Sequence, residues 1–160
     1  MPQWGYSYKE SEPEQTAKAS GRDLKISPKA AWEICSAIRK MRLGEARRFL
    51  QDVIDEKRAV PYRRYKKKVP HKAEIEGWYA GRYPMKAARE IMKVLSSLEA
   101  NAEGKGLYVD RLKIVHAAAQ RARIIKRYVP RAFGRSAPNF DKRCHVELVV
   151  KELWSGNVDY

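Results

Sequence analysis

Apolar residues recur with a helical period in three stretches of the chain and with a strand period in two. Ser27 and Pro28 supply an N-cap and a first-turn proline, after which Ala31, Ile34, Cys35, Ile38 and Met41 fall on one face. Gly44 is expected to end this helix and Glu45 to start the next, in which Ala46, Phe49, Leu50, Val53 and Ile54 share a face. Pro84 opens a third helix with Ala88, Ile91, Met92, Leu95, Leu98 and Ala102 in register, stopped by Gly104 and Gly106. The period then changes from helical to two. Leu112, Ile114, His116 and Ala118 alternate with Lys113, Val115 and Ala117, and Cys144, Val146, Leu148 and Val150 alternate with His145, Glu147 and Lys151. These runs read as the arms of a long β-hairpin over about residues 109–150.

Each arm is about twenty residues, which spans roughly 65 Å when fully extended, against a radius of gyration of about 15 Å for a domain of this size. The hairpin is therefore expected to protrude. Its proximal part, with a short edge strand at Arg22–Ile26, covers the apolar faces of the helices. The fold class predicted is α+β: three helices packed on a small antiparallel sheet, with a long protruding β-hairpin. A single domain is expected over residues 21–152, including a basic loop at 57–72, with a polar N-terminal tail at 1–20 and a C-terminal tail at 153–160. The first tail shows no helical period and reads as a segment that orders on a partner.

Charge changes this picture from a fold to a partner. The chain has 34 Lys and Arg against 19 Asp and Glu, a formal charge of +15, and the excess is concentrated. Residues 120–143 hold eight basic side chains and one acid: Arg121, Arg123, Lys126, Arg127, Arg131, Arg135, Lys142 and Arg143 against Asp141. Residues 57–72 hold eight more and no acid, among them Arg63, Arg64, Lys66, Lys67 and Lys68. Like charges at this density repel until an external polyanion neutralises them, so nucleic acid is the expected partner. Arginine suits that role because its planar fork binds phosphate bidentately and stacks on bases. Solvated basic runs seldom carry apolar residues such as Ile124, Ile125, Tyr128, Val129 and Phe133 between the charges, and these are expected to meet exposed bases.

Other chemistry finds little support. Cys35 and Cys144 lie on apolar faces far apart in sequence and read as reduced core residues. No Cys or His pair has metal spacing, so no metal or other cofactor is expected. His116 reads as a hydrogen-bonded residue on the apolar face of its strand. Gly104-Lys105-Gly106 is a helix stop, for the phosphate-loop signature is absent. Glu99 and Glu103 have no nucleophile beside them, so no catalytic constellation and no small-molecule substrate are expected. Tyr62 and Tyr65 fit either core or RNA. Trp78, Tyr79 and Tyr83 could stack on bases, but their place near a helix start favours the core. No apolar run reaches the 18 or more residues a bilayer span requires, and the start lacks signal-peptide blocks, so a cytoplasmic protein is expected.

Several motifs in order resemble one family. Ile26-Ser27-Pro28-Lys29-Ala30, the run Glu99 to Leu107, and above all Pro130-Arg131-Ala132-Phe133-Gly134-Arg135 resemble large-subunit ribosomal protein family twenty-two, the universal protein of the peptide exit tunnel. The segments Val60 to Tyr65 and Gly77 to Pro84 resemble the insert of archaeal and eukaryotic members, and the wording is archaeal-type. Where the family often carries small residues after Tyr65, this chain has Lys66-Lys67-Lys68. The resemblance covers about residues 20–152. It implies a structural constituent of the large ribosomal subunit, with large-subunit ribosomal RNA, neighbouring ribosomal proteins and the nascent polypeptide as partners. It also implies a role in assembly, and a hairpin threaded through RNA so that Arg131, Ala132, Phe133, Gly134 and Arg135 line the tunnel. The alternative from another class is a free-standing DNA- or RNA-binding regulator using the helical pair. Such a protein places base-reading side chains on a helix face, whereas the charge here gathers in a loop and a ribbon.

Overall fold

The computed structural model describes residues 5–9 and 12–153. The elements run β1 (Thr16–Leu24), α1 (Pro28–Ile38), α2 (Leu43–Ile54), β2 (Val60–Pro61), β3 (Gly81–Arg82), α3 (Met85–Gly104), a 3-10 turn (Val109–Arg111), β4 (Leu112–Ile125), β5 (Tyr128–Pro130), β6 (Ser136–Pro138) and β7 (Asp141–Glu152). Three helices and antiparallel sheets make an α+β fold, as the periodicity predicts. The main sheet has the order β1-β7-β4, with both neighbours antiparallel to β7. The central place of β7 explains its composition. Residues 146–150 are all buried, a run that only a strand covered on both faces carries.

The helices cover one face of this sheet. α3 packs on β1, α1 on β4, and α2 on α3. Ile34, Ile38, Leu50, Ile91, Leu98, Leu112, Ile114 and Leu148 are fully buried between the two layers. The thiols of Cys35 and Cys144 join this core as free cysteines. Burial pushes Cys35 up to about 12 and Cys144 to about 11, so neither is a thiolate at neutral pH.

Three local expectations are corrected. First, Gly44 does not separate the helices: α1 stops at Ile38, Lys40 takes a left-handed φ of 73°, and Gly44 lies inside α2. The break comes from the sheet edge. Lys40 N–H donates to the Ile114 carbonyl at 2.9 Å and Ile114 N–H to the Met41 carbonyl at 2.9 Å, so the connector leaves the helix to shield β4. Glu45 then reaches back to accept the Arg42 amide at 3.2 Å, closing the start of α2.

Second, the edge strand begins at Thr16 and not at Arg22. Ala17 and Ala19 point into the core under α3, and their small side chains hide the strand period in a run otherwise polar. The C-terminal half of α3 holds the strand: Asn101 Nδ2 donates to the Lys18 carbonyl at 2.9 Å, and Lys105 Nζ to that of Thr16 at 2.7 Å. Close approach is needed at Gly21, where an added Cβ would lie 2.7 Å from Val94 Cγ2 and 2.9 Å from Leu24 Cδ1. Val94 is β-branched on a helix and has little rotamer freedom to yield. Gly21→Val is expected to destabilise the fold by about 1–3 kcal/mol in urea unfolding, and an unchanged midpoint would show that the helix moves away at no cost.

Third, His116 does not share the face of Ile114. The register steps from Ile114 opposite Val150 to His116 opposite Val149, so Val115 is an extra residue in a β-bulge. The bulge resets the phase, placing Ala117 in the core and His116 on the opposite face. There it meets Glu147, a carboxylate only 1% exposed. Glu147 accepts from Ser7 N–H at 3.0 Å, Ser7 Oγ at 2.6 Å and Gln120 Nε2 at 3.2 Å. The Tyr8 ring lies 5.4 Å from that of His116. Burial holds the His116 pKa below its ordinary value, outweighing the pull of Glu147. Residues 6–8 thus lie against the back of the sheet through this carboxylate, where the sequence suggested a segment waiting for a partner.

Candidate nucleic-acid interface

Where core support ends, the charge begins. Two bulges flank β7 at nearly the same level, one in β1 between Gly21 and Leu24 and one in β4 between Arg121 and Ile124. Asp23 sits in the first with φ 51° and ties the level together. Its carboxylate pairs with Arg123 Nε at 3.2 Å, its N–H donates to His145 Nδ1 at 3.0 Å, and its carbonyl accepts from Arg143 Nη1 at 3.4 Å. Beyond this tie β4 pairs with β7 only at Ile124 and Ile125, opposite Lys142 and Asp141, and β5 pairs with β6 through Tyr128–Pro138, Val129–Ala137 and Pro130–Ser136. Every residue of 126–136 is exposed.

The expected contact residues separate into two groups. Arg121, Lys126, Arg127, Arg131, Arg135 and Lys142 are exposed, and none forms an ion pair among the described residues. Arg123 and Arg143 are engaged: the first pairs with Asp23 and the second with Asp141 at 3.3 Å. They brace the base of the ribbon. Between the free cations Ile124 is 50% exposed and Tyr128 62%, the latter edge-on to Phe140 at 5.7 Å. Exposed apolar area of this kind interleaved with unpaired charge suits a surface that combines phosphates and bases.

The tip is a tight turn. Arg135 N–H donates to the Ala132 carbonyl at 3.3 Å, and Phe133 and Gly134 between them have φ of 55° and 67°. Two consecutive left-handed residues are the mark of a type I′ turn, which matches the twist of the strands it joins. Gly134 adopts this at no steric cost. Phe133 does not, since a bulky side chain at positive φ is an uncommon conformation, and its ring is 97% exposed. Arg131 N–H closes the turn on the Arg135 carbonyl at 2.8 Å.

The second basic segment is held by an acid the sequence reading missed. Glu33, on α1, is 1% exposed. Its Oε2 accepts from Arg63 N–H at 3.1 Å, and its Oε1 from Arg64 N–H at 3.0 Å and Tyr65 N–H at 2.8 Å. Three successive amides turned inward force the side chains of Arg63 and Arg64 outward. Val69 N–H then closes a turn on the Lys66 carbonyl at 3.3 Å, with Lys68 at φ 56°, so Lys66, Lys67 and Lys68 lie exposed around it. The one available signal was that Glu33 is the sole acid of α1 and stands beside Ile34 and Cys35 on the face that packs.

The aromatic residues divide between core and surface. Tyr62 is buried, with its phenol pushed up to about 12 by desolvation, and Tyr65 packs partly against the core. Trp78, Tyr79 and Tyr83, expected to close the core, do not enter it. Tyr79 is 43% exposed and the other two are half-buried, because residues 71–79 form a small flap of their own beside the β2–β3 pair, tied at its ends by the bridge between His71 and the buried Ala80. Arg63 lies over the Trp78 ring at 5.9 Å and Lys66 over it at 5.6 Å, while Arg64 lies over Trp32 at 5.2 Å. Tyr83 donates to Glu74, which raises its pKa above the ordinary value.

Among the described residues no group of three or more His, Cys, Asp or Glu could hold a metal ion, and no helix is long and apolar enough to cross a membrane. An α+β body that carries a cationic ribbon and a cationic loop has the surface of the class of proteins that pair with a polyanion. The sequence pattern of ribosomal protein L22p/L17e matches residues 19–151. The large ribosomal subunit protein uL22 of Archaeoglobus fulgidus is 54% identical over 151 residues, 94% of this chain and 97% of that protein. The uL22 of Methanopyrus kandleri is 53% identical over 152 residues, 93% and 96% of the two chains, and that of Ignicoccus hospitalis 51% over 158, or 96% and 99%. The chain belongs to the ribosomal protein L22 family, as a structural component and not an enzyme.

Proposed function

We propose that the chain is a structural constituent of the large subunit of the cytoplasmic ribosome, bound to large-subunit ribosomal RNA through its ribbon and its basic loop and supporting the folding of that RNA. The tip, Arg131 to Arg135, lines the nascent-peptide exit tunnel, with Phe133 presented to the emerging chain or to the tunnel wall. The exposed body meets neighbouring ribosomal proteins. One observation carries the reading: six exposed cations without acidic partners among the described residues line a two-stranded ribbon that has no protein core beneath its end. Such a ribbon is self-repelling alone and neutralised inside packed RNA. The name that its relatives share, large ribosomal subunit protein, supports the particle. A helix-borne base reader is not favoured, because these cations lie on a ribbon and a loop.

If roughly eight phosphates are neutralised, the logarithm of affinity for a large-subunit RNA fragment falls against log salt with a slope of about −6, at ~0.7 per contact. Filter binding of the full chain between 50 mM and 500 mM salt, conditions chosen for the test at roughly the range where counterion release dominates, measures it. A flat profile sinks the reading.

A further inference from the structure

We infer that the flap formed by residues 71–79 is a stacking platform for an unpaired RNA base, with Tyr79 as its exposed ring. The inference rests on the RNA-binding reading above and adds to it a site separate from the ribbon. The rings of Trp78 and Tyr79 stack at 5.0 Å with their planes 27° apart. Arg63 and Lys66 lie over the Trp78 ring, and Trp78 Nε1 donates to the Tyr62 carbonyl at 2.9 Å, which fixes the indole in its plane. Of this stacked pair Trp78 is half-buried, whereas Tyr79 is 43% exposed. The His71 imidazole lies 5.1 Å from the Tyr79 ring, with the planes 55° apart.

The platform is preorganised at both ends. Lys72 N–H donates to the Tyr79 carbonyl at 2.8 Å, Tyr62 N–H to that of Ala80 at 2.9 Å, and Glu33 holds the amides of Arg63 to Tyr65. A ring that is held in place gives up little entropy when it binds a flat partner. The surroundings select the chemistry of that partner. Arg63, Arg64, Lys66, Lys67 and Lys68 are exposed nearby, whereas of the two acids in the flap Glu74 is taken by the Tyr83 hydroxyl, leaving Glu76. A planar π-face flanked by cations that can take the adjoining phosphates fits an extruded nucleotide better than an apolar peptide. Because every base has a π-face, the site tolerates any sequence.

The probe is a ten-nucleotide single-stranded oligoadenylate, compared with an abasic ten-mer of the same charge, on the full chain. Tyr79→Ala is expected to weaken oligoadenylate binding about tenfold, within the range of one base–aromatic stack, without changing the salt slope or the urea midpoint. Tyr79→Phe keeps the ring and is expected to bind as the parent does. The abasic ten-mer binds the parent weakly and does not distinguish the variants. Oligoadenylate binding unchanged in Tyr79→Ala, or equal binding of the two ten-mers by the parent, overturns the inference and leaves the flap to a protein neighbour. A steep salt slope on large-subunit RNA in that event preserves the RNA-binding reading, so the two failures are told apart.

Discussion

Replacing Arg121, Lys126, Arg127, Arg131, Arg135 and Lys142 together with glutamine should lower affinity for large-subunit RNA on the order of 10⁴-fold at 0.1 M salt. The estimate takes counterion release alone, at ~0.7 logarithmic units per phosphate contact relative to 1 M salt. The slope of log affinity against log salt should flatten by about 4. Stability should not fall with it, because these side chains are exposed and carry no ion pair among the described residues. Formal charge drops from +15 to +9, which relieves repulsion in the free chain. The contrast separates partner from fold: an RNA-binding loss without a shift in the urea midpoint assigns the ribbon to RNA. Affinity that stays within tenfold of the parent would mean that the ribbon makes few phosphate contacts, and the tunnel role proposed for its tip would go with it.

Glu33→Ala should destabilise the protein by about 3–5 kcal/mol, or release the basic loop at a somewhat smaller cost. Its carboxylate answers three consecutive amides, and charge-assisted bonds contribute about 1.5–3 kcal/mol each before the donors find water. Hydrogen exchange identifies which outcome occurs, since the amides of Arg63, Arg64 and Tyr65 lose protection in both and the core amides of α3 in only the first. Glu33→Gln is a graded control. One oxygen can still accept from Arg64 and Tyr65, as Oε1 does now, while the new amide group turns a donor toward Arg63 N–H. It should cost about half as much. Amides of 63–65 that remain protected in Glu33→Ala would show that β2 and Tyr62 alone hold the loop. The two experiments address different links, since Glu33 decides where the loop's cations stand and the ribbon residues decide what they meet.

The helices were legible because each buries one stripe of its surface, so Ile34, Ile38, Leu50, Val53, Ile91, Leu95 and Leu98 keep the 3.6-residue period. The charge excess of the loop and ribbon was legible for a related reason: composition needs no geometry. What escaped depended on a second surface. Ala17 and Ala19 look like linker until α3 is laid over them, and Gly44 looks like a helix stop until β4 is seen to draw residues 40–42 out of the helix. His116 changes face because one extra residue in β4 resets a two-residue period, a shift no pattern on a single strand reveals. Glu33 and Glu147 lie outside the apolar patterns of their elements. They are buried because groups remote in sequence, the amides of 63–65 and the hydroxyl and amide of Ser7, supply the hydrogen bonds that make a buried carboxylate tolerable.

Local periodicity and charge, which act between residues a few positions apart, were enough to establish the α+β class, the order of the helices and the two cationic segments, while the family resemblance rested on motifs such as Pro130 to Arg135. Only the folded chain decided which cations stay free and which are neutralised, as Arg123 and Arg143 are by Asp23 and Asp141, and which aromatics face outward. Those choices turn on hydrogen bonds and ring contacts between distant segments. Their energies depend on distance and burial in space, and neither quantity is written along the chain.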